Sequence, residues 1–140
     1  MTQTLLYRLF RLGKIPDQLK VQLMSEGVIL QDEGFPGSVT YRNFRRPGRY
    51  SSWRRVWFTA SLVITQTRLV ATAYSRTAID VPFTDQRFRS LDFSLEKEDT
   101  LKVSFDASLF RTDWSGLIDY RFRTIQAPAF LTNLQAQSSK

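Results

Sequence analysis

The sequence predicts a mainly β protein: an antiparallel sheet with short helices before it and one helix after it. Two observations carry this prediction. Apolar residues recur at every second position through most of the chain after Gly27, which is typical of strands with one buried face. Before Gly27 and after Gln126 the apolar residues recur at i, i+3 or i+4 instead, which is typical of helices. The length of 140 residues fits a single domain.

Two helices are predicted before the sheet. The first carries an apolar stripe of Leu5, Leu6, Leu9, Phe10 and Leu12. The second is expected to begin at Pro16, because proline is favoured at the first helical position, and to end near Ser25. Leu19 and Leu23 lie four residues apart and predict its apolar face.

The alternating pattern predicts seven or eight strands. They are expected at residues 28–30, 38–44, 56–65, 69–73, 79–83, 91–95, 101–105 and 118–122. Residues 32–37 have the composition of a turn between the first two strands, and residues 45–49 predict the loop that follows. Pro82 indicates an edge strand or a strand end. A final helix is expected from Ala127 to Gln137.

Short segments resemble bacterial PH-like and GRAM-like domains of the pleckstrin-homology-like barrel family. Residues 62–70 resemble the L-x-L-T-x-x-R-L-x hairpin of that family, residues 25–30 its entry to the first strand, and residues 113–116 the approach to its last strand. The resemblance implies a non-enzymatic module, either an antiparallel barrel or two near-orthogonal sheets, capped by the C-terminal helix. It divides the chain into a helical extension (1–25), a PH/GRAM-like domain (26–137) and a polar tail (138–140).

One departure from this family bears on ligand binding. PH domains that bind phosphoinositides usually place a basic cluster in the loop between their first two strands. Here the predicted first loop, residues 32–37, is acidic and apolar, and the arginines are expected one loop later. The family's usual headgroup site is therefore not carried over to this sequence.

Positive charge is concentrated in one third of the chain. The whole protein has 20 Lys and Arg against 13 Asp and Glu, a formal net charge of +7. No acidic residue occurs from Gly34 to Ile79, a stretch that holds eight arginines. The remainder is close to neutral, so the excess charge predicts a local basic surface on an otherwise balanced domain.

Composition also excludes several chemistries. The chain has no Cys and no His, so it has no disulfide, no thiolate nucleophile and no histidine-based triad. The commonest acid–base group near neutral pH and the commonest transition-metal ligand are absent as well. We therefore predict no catalytic residues, no metal site and no cofactor.

The strongest candidate site is the arginine-rich segment from Arg42 to Arg55. Its predicted contacts for an anionic partner are Arg42, Arg45, Arg46, Arg49, Arg54, Arg55 and Trp53. Arginine pairs with phosphate or carboxylate through a planar fork of donors, and the interleaved aromatic residues favour a membrane interface. The partner is expected to be an anionic membrane surface or an acidic protein. Single-stranded nucleic acid is an alternative, and a solvated basic loop with no partner is another.

The first predicted helix is the second candidate. Leu5, Leu6, Leu9 and Phe10 are predicted to contact a membrane or a second copy of the chain, although packing on the same domain is the more ordinary outcome. We find no signal peptide and no apolar run long enough to span a bilayer. The expected location is cytoplasmic. If the anionic partner is a membrane, the chain is expected to attach peripherally at its inner face.

Overall fold

The structure is a computed structural model, which describes residues 15–74 and 76–138. Helix α1 spans Asp17–Glu26 and helix α2 spans Ala127–Ser138. Between them lie β1 Val28–Arg46, β2 Arg49–Thr65, β3 Arg68–Ala73, β4 Arg76–Pro82, β5 Asp92–Lys97, β6 Thr100–Asp106 and β7 Ser115–Arg123. Two short 3-10 helices, Gln86–Ser90 and Ala107–Leu109, follow β4 and β6.

All seven strands belong to one antiparallel sheet. Their order is β4-β3-β2-β1-β7-β6-β5, so the two longest strands lie side by side near its centre. Hydrogen-bonded pairing does not join β4 to β5 in the described part of the chain, and the sheet is therefore open. The mainly antiparallel β architecture with a C-terminal helix is confirmed, whereas a closed barrel is not.

The turn expected at residues 32–37 is wrong, because β1 runs unbroken through them. Gly34 has a φ of 80°, and the pairing of β1 with β2 shifts register between Glu33 and Phe35, which marks a β-bulge. Asp32 is buried and accepts a hydrogen bond from the Thr124 hydroxyl at 2.5 Å. Residues 32–37 therefore form a bulged part of a strand in which Asp32 has a hydrogen-bond partner, although their composition is typical of a turn.

One face of the sheet, here called the core face, packs into the main hydrophobic core. Residues from β4 at one edge and β6 near the other share this core, so the sheet must curve around it. Helix α2 adds Ala127, Phe130 and Leu134, each fully buried, and the predicted apolar face of this helix is confirmed. Burying one such large side chain stabilises the fold by about 1.5–3 kcal/mol.

Helix α1 covers part of the opposite face, here called the outer face. Ile15 and Leu23 pack against Val63 of β2 and Val70 of β3 in a second, smaller apolar cluster. Arg68 fixes the end of the helix, because its guanidinium pairs with Glu26 and Asp80, each at 2.8 Å. Over β1 and β7 the outer face carries the polar side chains of Ser38, Thr40, Asp119 and Arg121, together with the exposed Leu117.

Candidate functional site

The arginine-rich segment forms a β-hairpin rather than a loop. β1 and β2 remain paired as far as Arg46 and Arg49, and only Pro47 and Gly48 form the turn. Gly48 has a φ of 76°, a conformation that glycine adopts without steric cost. The expectation that these arginines lie between a second and a third strand is therefore wrong. They lie at the end of the first hairpin of the sheet.

The six predicted arginines do not form one cluster, because the hairpin divides them between its two faces. Asn43 has a φ of 49°, and the register of β1 on β7 shifts between Arg42 and Arg45. This irregularity buries Phe44 instead of Asn43. Three arginines lie on the core face, Arg46, Arg49 and Arg54. The other three lie on the outer face, Arg42, Arg45 and Arg55.

The three arginines on the core face surround a bowl of about 320 Å³ at the end of the hairpin. We call it the core-face bowl, and its aromatic wall is formed by Tyr41, Phe44 and Trp114. The Phe44 ring packs on Tyr41 at 4.8 Å and on Trp114 at 5.1 Å between ring centroids. Among the residues that the structure describes, none of those lining the bowl is acidic.

Positive charge dominates the lining of the core-face bowl. Within residues 15–74 and 76–138, no carboxylate pairs with its three arginines, whereas Arg42 pairs with one carboxylate and Arg68 with two. Burial raises the pKa of the Tyr41 phenol, although the positive charges of Arg54 and Arg46 act in the opposite direction. Both guanidiniums are therefore close enough to the aromatic wall for their charges to act on the Tyr41 phenol.

The outer face of the hairpin exposes aromatic rings. Trp53 is 60 % exposed and Trp57 is 64 % exposed, and the guanidinium of Arg55 lies 5.5 Å and 5.6 Å from their ring centres. Nearer the turn, Arg45 lies over the exposed ring of Tyr50 at 4.9 Å. Such cation–π contacts hold the arginines in place without neutralising them.

Arg42 has a structural role that its sequence position does not reveal. Its Nε lies 2.9 Å from Oδ2 of Asp119, a carboxylate that is only 2 % exposed. Ser104 donates a second hydrogen bond to Asp119 at 2.7 Å. A buried carboxylate needs such partners, so Arg42 stabilises the fold. Because its guanidinium is already paired, Arg42 is less available to an anionic partner than the other predicted arginines.

The other two arginines of the acid-free stretch do not join the site. Arg68 lies past the far end of β2 and is held by Glu26 and Asp80. Arg76 is exposed at the start of β4, away from the hairpin turn. Of the eight arginines in the acid-free stretch, six lie on the hairpin. The basic surface that they form is therefore smaller than the charge pattern alone indicates.

Sequence reasoning missed the residues that complete the core-face bowl. The sequence places Trp114 only at the approach to the last strand, yet its ring forms part of the wall, and the guanidinium of Arg111 lies 5.3 Å from its centre. Pairing of Arg45 with Ser115 brings this distant segment to the hairpin. The predicted contacts Leu5, Leu6, Leu9 and Phe10 lie outside the described residues, and their role stays a prediction.

Comparison with known proteins adds no family assignment. No protein-family model matches the chain, and no curated protein matches it in sequence. Neither helix in the described part has the length and apolar character that crossing a bilayer demands. The geometry of the hairpin end is therefore the basis for any statement about function.

Proposed function

We propose that the chain is a non-enzymatic binding module that holds an anionic membrane surface at the end of its β1–β2 hairpin. The core-face bowl carries this proposal, since it gathers Arg46, Arg49 and Arg54 without a described carboxylate among them. Guanidinium groups pair bidentately with phosphate, the common group of lipid headgroups. Tyr50 and Trp53 are exposed near the same end, and such rings favour the membrane interface.

The resemblance to PH-like and GRAM-like domains supports the same proposal. In members that bind phosphoinositides, the basic cluster usually lies between the first two strands. Because β1 continues through residues 32–37, the first loop of this sheet is Pro47–Gly48, which two arginines flank directly. The acidic and apolar composition of residues 32–37 is therefore no argument against a headgroup site, because these residues do not form the first loop. Peripheral attachment at the inner face of a membrane is part of the proposal.

Vesicle sedimentation tests this function. The wild-type chain is pelleted with vesicles of phosphatidylcholine alone and with vesicles that also contain phosphatidylserine, at low and at moderate salt. A triple variant replaces Arg46, Arg49 and Arg54 with Gln. A charge-matched control replaces three other basic residues with Gln as well. They are Lys20, Arg76 and Lys102, which lie away from the core-face bowl.

We expect binding only to the anionic vesicles, weaker at higher salt because exposed charges are screened beyond about 10 Å at 0.1 M ionic strength. The bowl variant should lose most of this binding, whereas the control should keep it. If the chain bound neither kind of vesicle, the membrane proposal would be refuted, and an acidic protein would be the favoured partner. Equal losses in the two variants would show that net charge alone is responsible.

Self-association is a second candidate function, favoured by the open edges of the sheet. β4 and β5 each have one unpaired side in the described part of the chain, and most residues of β5 are exposed. Unpaired strand edges can join two copies of a chain. Sedimentation velocity over a range of concentrations tests this, and a monomer at every concentration would exclude it.

A further inference from the structure

A second concave site lies on the outer face, separate from the core-face bowl. It is a cleft of about 290 Å³ between the β1–β2 pair and the turn that joins β5 to β6. We call it the outer-face cleft, and Ser38, Arg55, Trp57, Lys97, Arg121 and Arg123 are among the residues that line it. Its volume is close to the lower limit of about 300 Å³ for small-molecule sites.

Two guanidinium groups converge in this cleft on one hydroxyl. Nε of Arg55 donates to Oγ1 of Thr40 at 3.0 Å, and Nη1 of Arg121 donates to the same atom at 3.1 Å. Thr40 is buried, so this meeting point is part of the folded sheet and not a chance contact of surface chains. Glu96 already balances the charge of Arg121, so an anion bound at this point would neutralise Arg55.

The acidic groups of the cleft already have partners. Glu96 accepts from Nε of Arg121 at 2.6 Å, and Asp99 pairs with Arg123 at 3.2 Å. Arg55 has no carboxylate partner among the described residues, and Lys97 adds a further positive charge. The lining therefore has four cationic and two acidic side chains, which leaves positive charge unmatched around Arg55.

Trp57 adds a flat apolar surface beside this charge. Its ring borders the cleft and is 64 % exposed. It lies nine residues beyond Gly48 along β2, which is about 30 Å of strand at the rise of a β residue. Because the core-face bowl itself extends to Val56, it is the opposite face of the sheet that separates Trp57 from it, and on that face the ring is open to a ligand in the cleft.

We propose that the outer-face cleft binds a small ligand that carries a phosphate group on a planar ring, of the class of the nucleoside monophosphates. The phosphate lies between Arg55 and Arg121, and the ring stacks on Trp57. Aromatic stacking is tolerant of the identity of a base, so the site recognises the class and not one member.

Calorimetric titration with adenosine 5′-monophosphate tests this site, with inorganic phosphate and adenosine as separate arms. Arg55→Gln should weaken binding by about tenfold or more, since a hydrogen bond to a charged group is lost. Trp57→Leu should weaken it by about fivefold or more through lost stacking. Arg76→Gln is the matched control, because Arg76 is exposed at the start of β4 and lines neither the cleft nor the bowl, and its effect should stay within about twofold.

Indole signals in an NMR spectrum give a second readout. The chain has three tryptophans, of which Trp57 borders the cleft and Trp114 lines the bowl. We expect the nucleotide to shift the Trp57 signal and to leave Trp114 unchanged, also in the bowl variant that fails to bind vesicles. This separates the two sites, so that the failure of one proposal does not imply failure of the other.

Three results would overturn the proposal. The first is the absence of saturable binding of the nucleotide to the folded wild-type chain at millimolar concentrations. The second is an equal loss of affinity in Arg76→Gln and Arg55→Gln. The third is binding of inorganic phosphate, or of a single-stranded oligonucleotide, far tighter than that of the monophosphate, since neither would be explained by one phosphate beside one stacked ring.

Discussion

Arginines that look equivalent in the sequence differ in what they contact. Arg42 pairs with the buried carboxylate of Asp119, whereas Arg46 lines the core-face bowl without a described carboxylate partner. The free energy of binding and the free energy of folding therefore depend on different members of one cluster. A variant that lowers binding has to be checked for unfolding before it is assigned to the site.

Arg42→Gln and Arg46→Gln should separate these two roles. Loss of the Arg42 guanidinium leaves Asp119 with Ser104 as its remaining hydrogen-bonded side chain, and we expect a destabilisation of about 1.5–3 kcal/mol. Arg46→Gln should change stability by less than about 0.5 kcal/mol. Urea unfolding measures both, and similar values for the two variants would contradict the structural role of Arg42.

Gly116 allows the hairpin end to approach β7. Its φ is 107°, and a Cβ at this position would lie 2.5 Å from the Asn43 carbonyl oxygen. Gly48 also has a positive φ, but the described structure has open space where its Cβ would be. We expect Gly48→Ala to cost about 1–2 kcal/mol from backbone conformation alone.

Gly116→Ala should cost at least about 1 kcal/mol more than Gly48→Ala, because the clash with backbone adds to the conformational cost. Equilibrium unfolding in urea compares the two variants directly. Equal costs would mean that β1 and β7 separate easily at this point, and that the position of Trp114 beside the hairpin is not fixed by Gly116.

At the scale of elements, helix α1 is attached to the sheet by an ion-pair network at its C-terminal end. Burial by itself would raise the pKa of Glu26, but hydrogen bonds from Thr67 and Arg68 outweigh it and hold that pKa below the ordinary value of 4.5. Because the pKa is lower in the folded chain, the contact stabilises the fold above the unfolded pKa. This contribution is lost as the pH falls through the folded pKa.

Glu26→Gln should therefore destabilise the chain at pH 7 and have less effect in acid. The group is partly exposed, so we expect a difference from wild type of about 1 kcal/mol or less at neutral pH. The difference should shrink as the pH falls below about 4. Urea unfolding of both chains across this range is the measurement, and a difference that stays constant with pH would contradict the ion pair.

The elements that the sequence predicts well are those with clear alternation. Strands β6 and β7 and helix α2 lie where the pattern expects them, because each has one buried and one solvated face. The failure lies in β1, where Asp32 to Gly37 looks like a turn. Turns and bulged strands favour the same residue types, and only the pairing with β2 shows that this segment is a strand.

The candidate site was predicted in composition but not in geometry. Charge pattern alone located the basic segment, because an acid-free run of arginines is visible in any sequence. It did not divide the arginines between two faces, since asparagine adopts a positive φ more readily than most residues but does not require it, and Asn43 alone does not predict the irregularity. It also did not find Trp114, which reaches the hairpin only through the pairing of β1 with β7.

For the whole molecule, the membrane contact that we propose implies one orientation of the sheet. The unpaired arginines of the core-face bowl and the exposed rings of Tyr50 and Trp53 lie at the hairpin end. Helix α1 and its ion pairs lie toward the other end of β2. An anionic surface should therefore meet the hairpin end first, with the outer-face cleft left open to solvent.

The three tryptophans test this orientation most directly. Anionic bicelles that contain a paramagnetic lipid are added to the chain, and the broadening of each indole NMR signal is measured. We expect Trp114, which lines the core-face bowl, to broaden most, and Trp57, which lies on the other face and farther from the turn than Trp53, to broaden least. Broadening of Trp57 stronger than that of Trp114, or no broadening of any of the three signals, would contradict contact through the hairpin end.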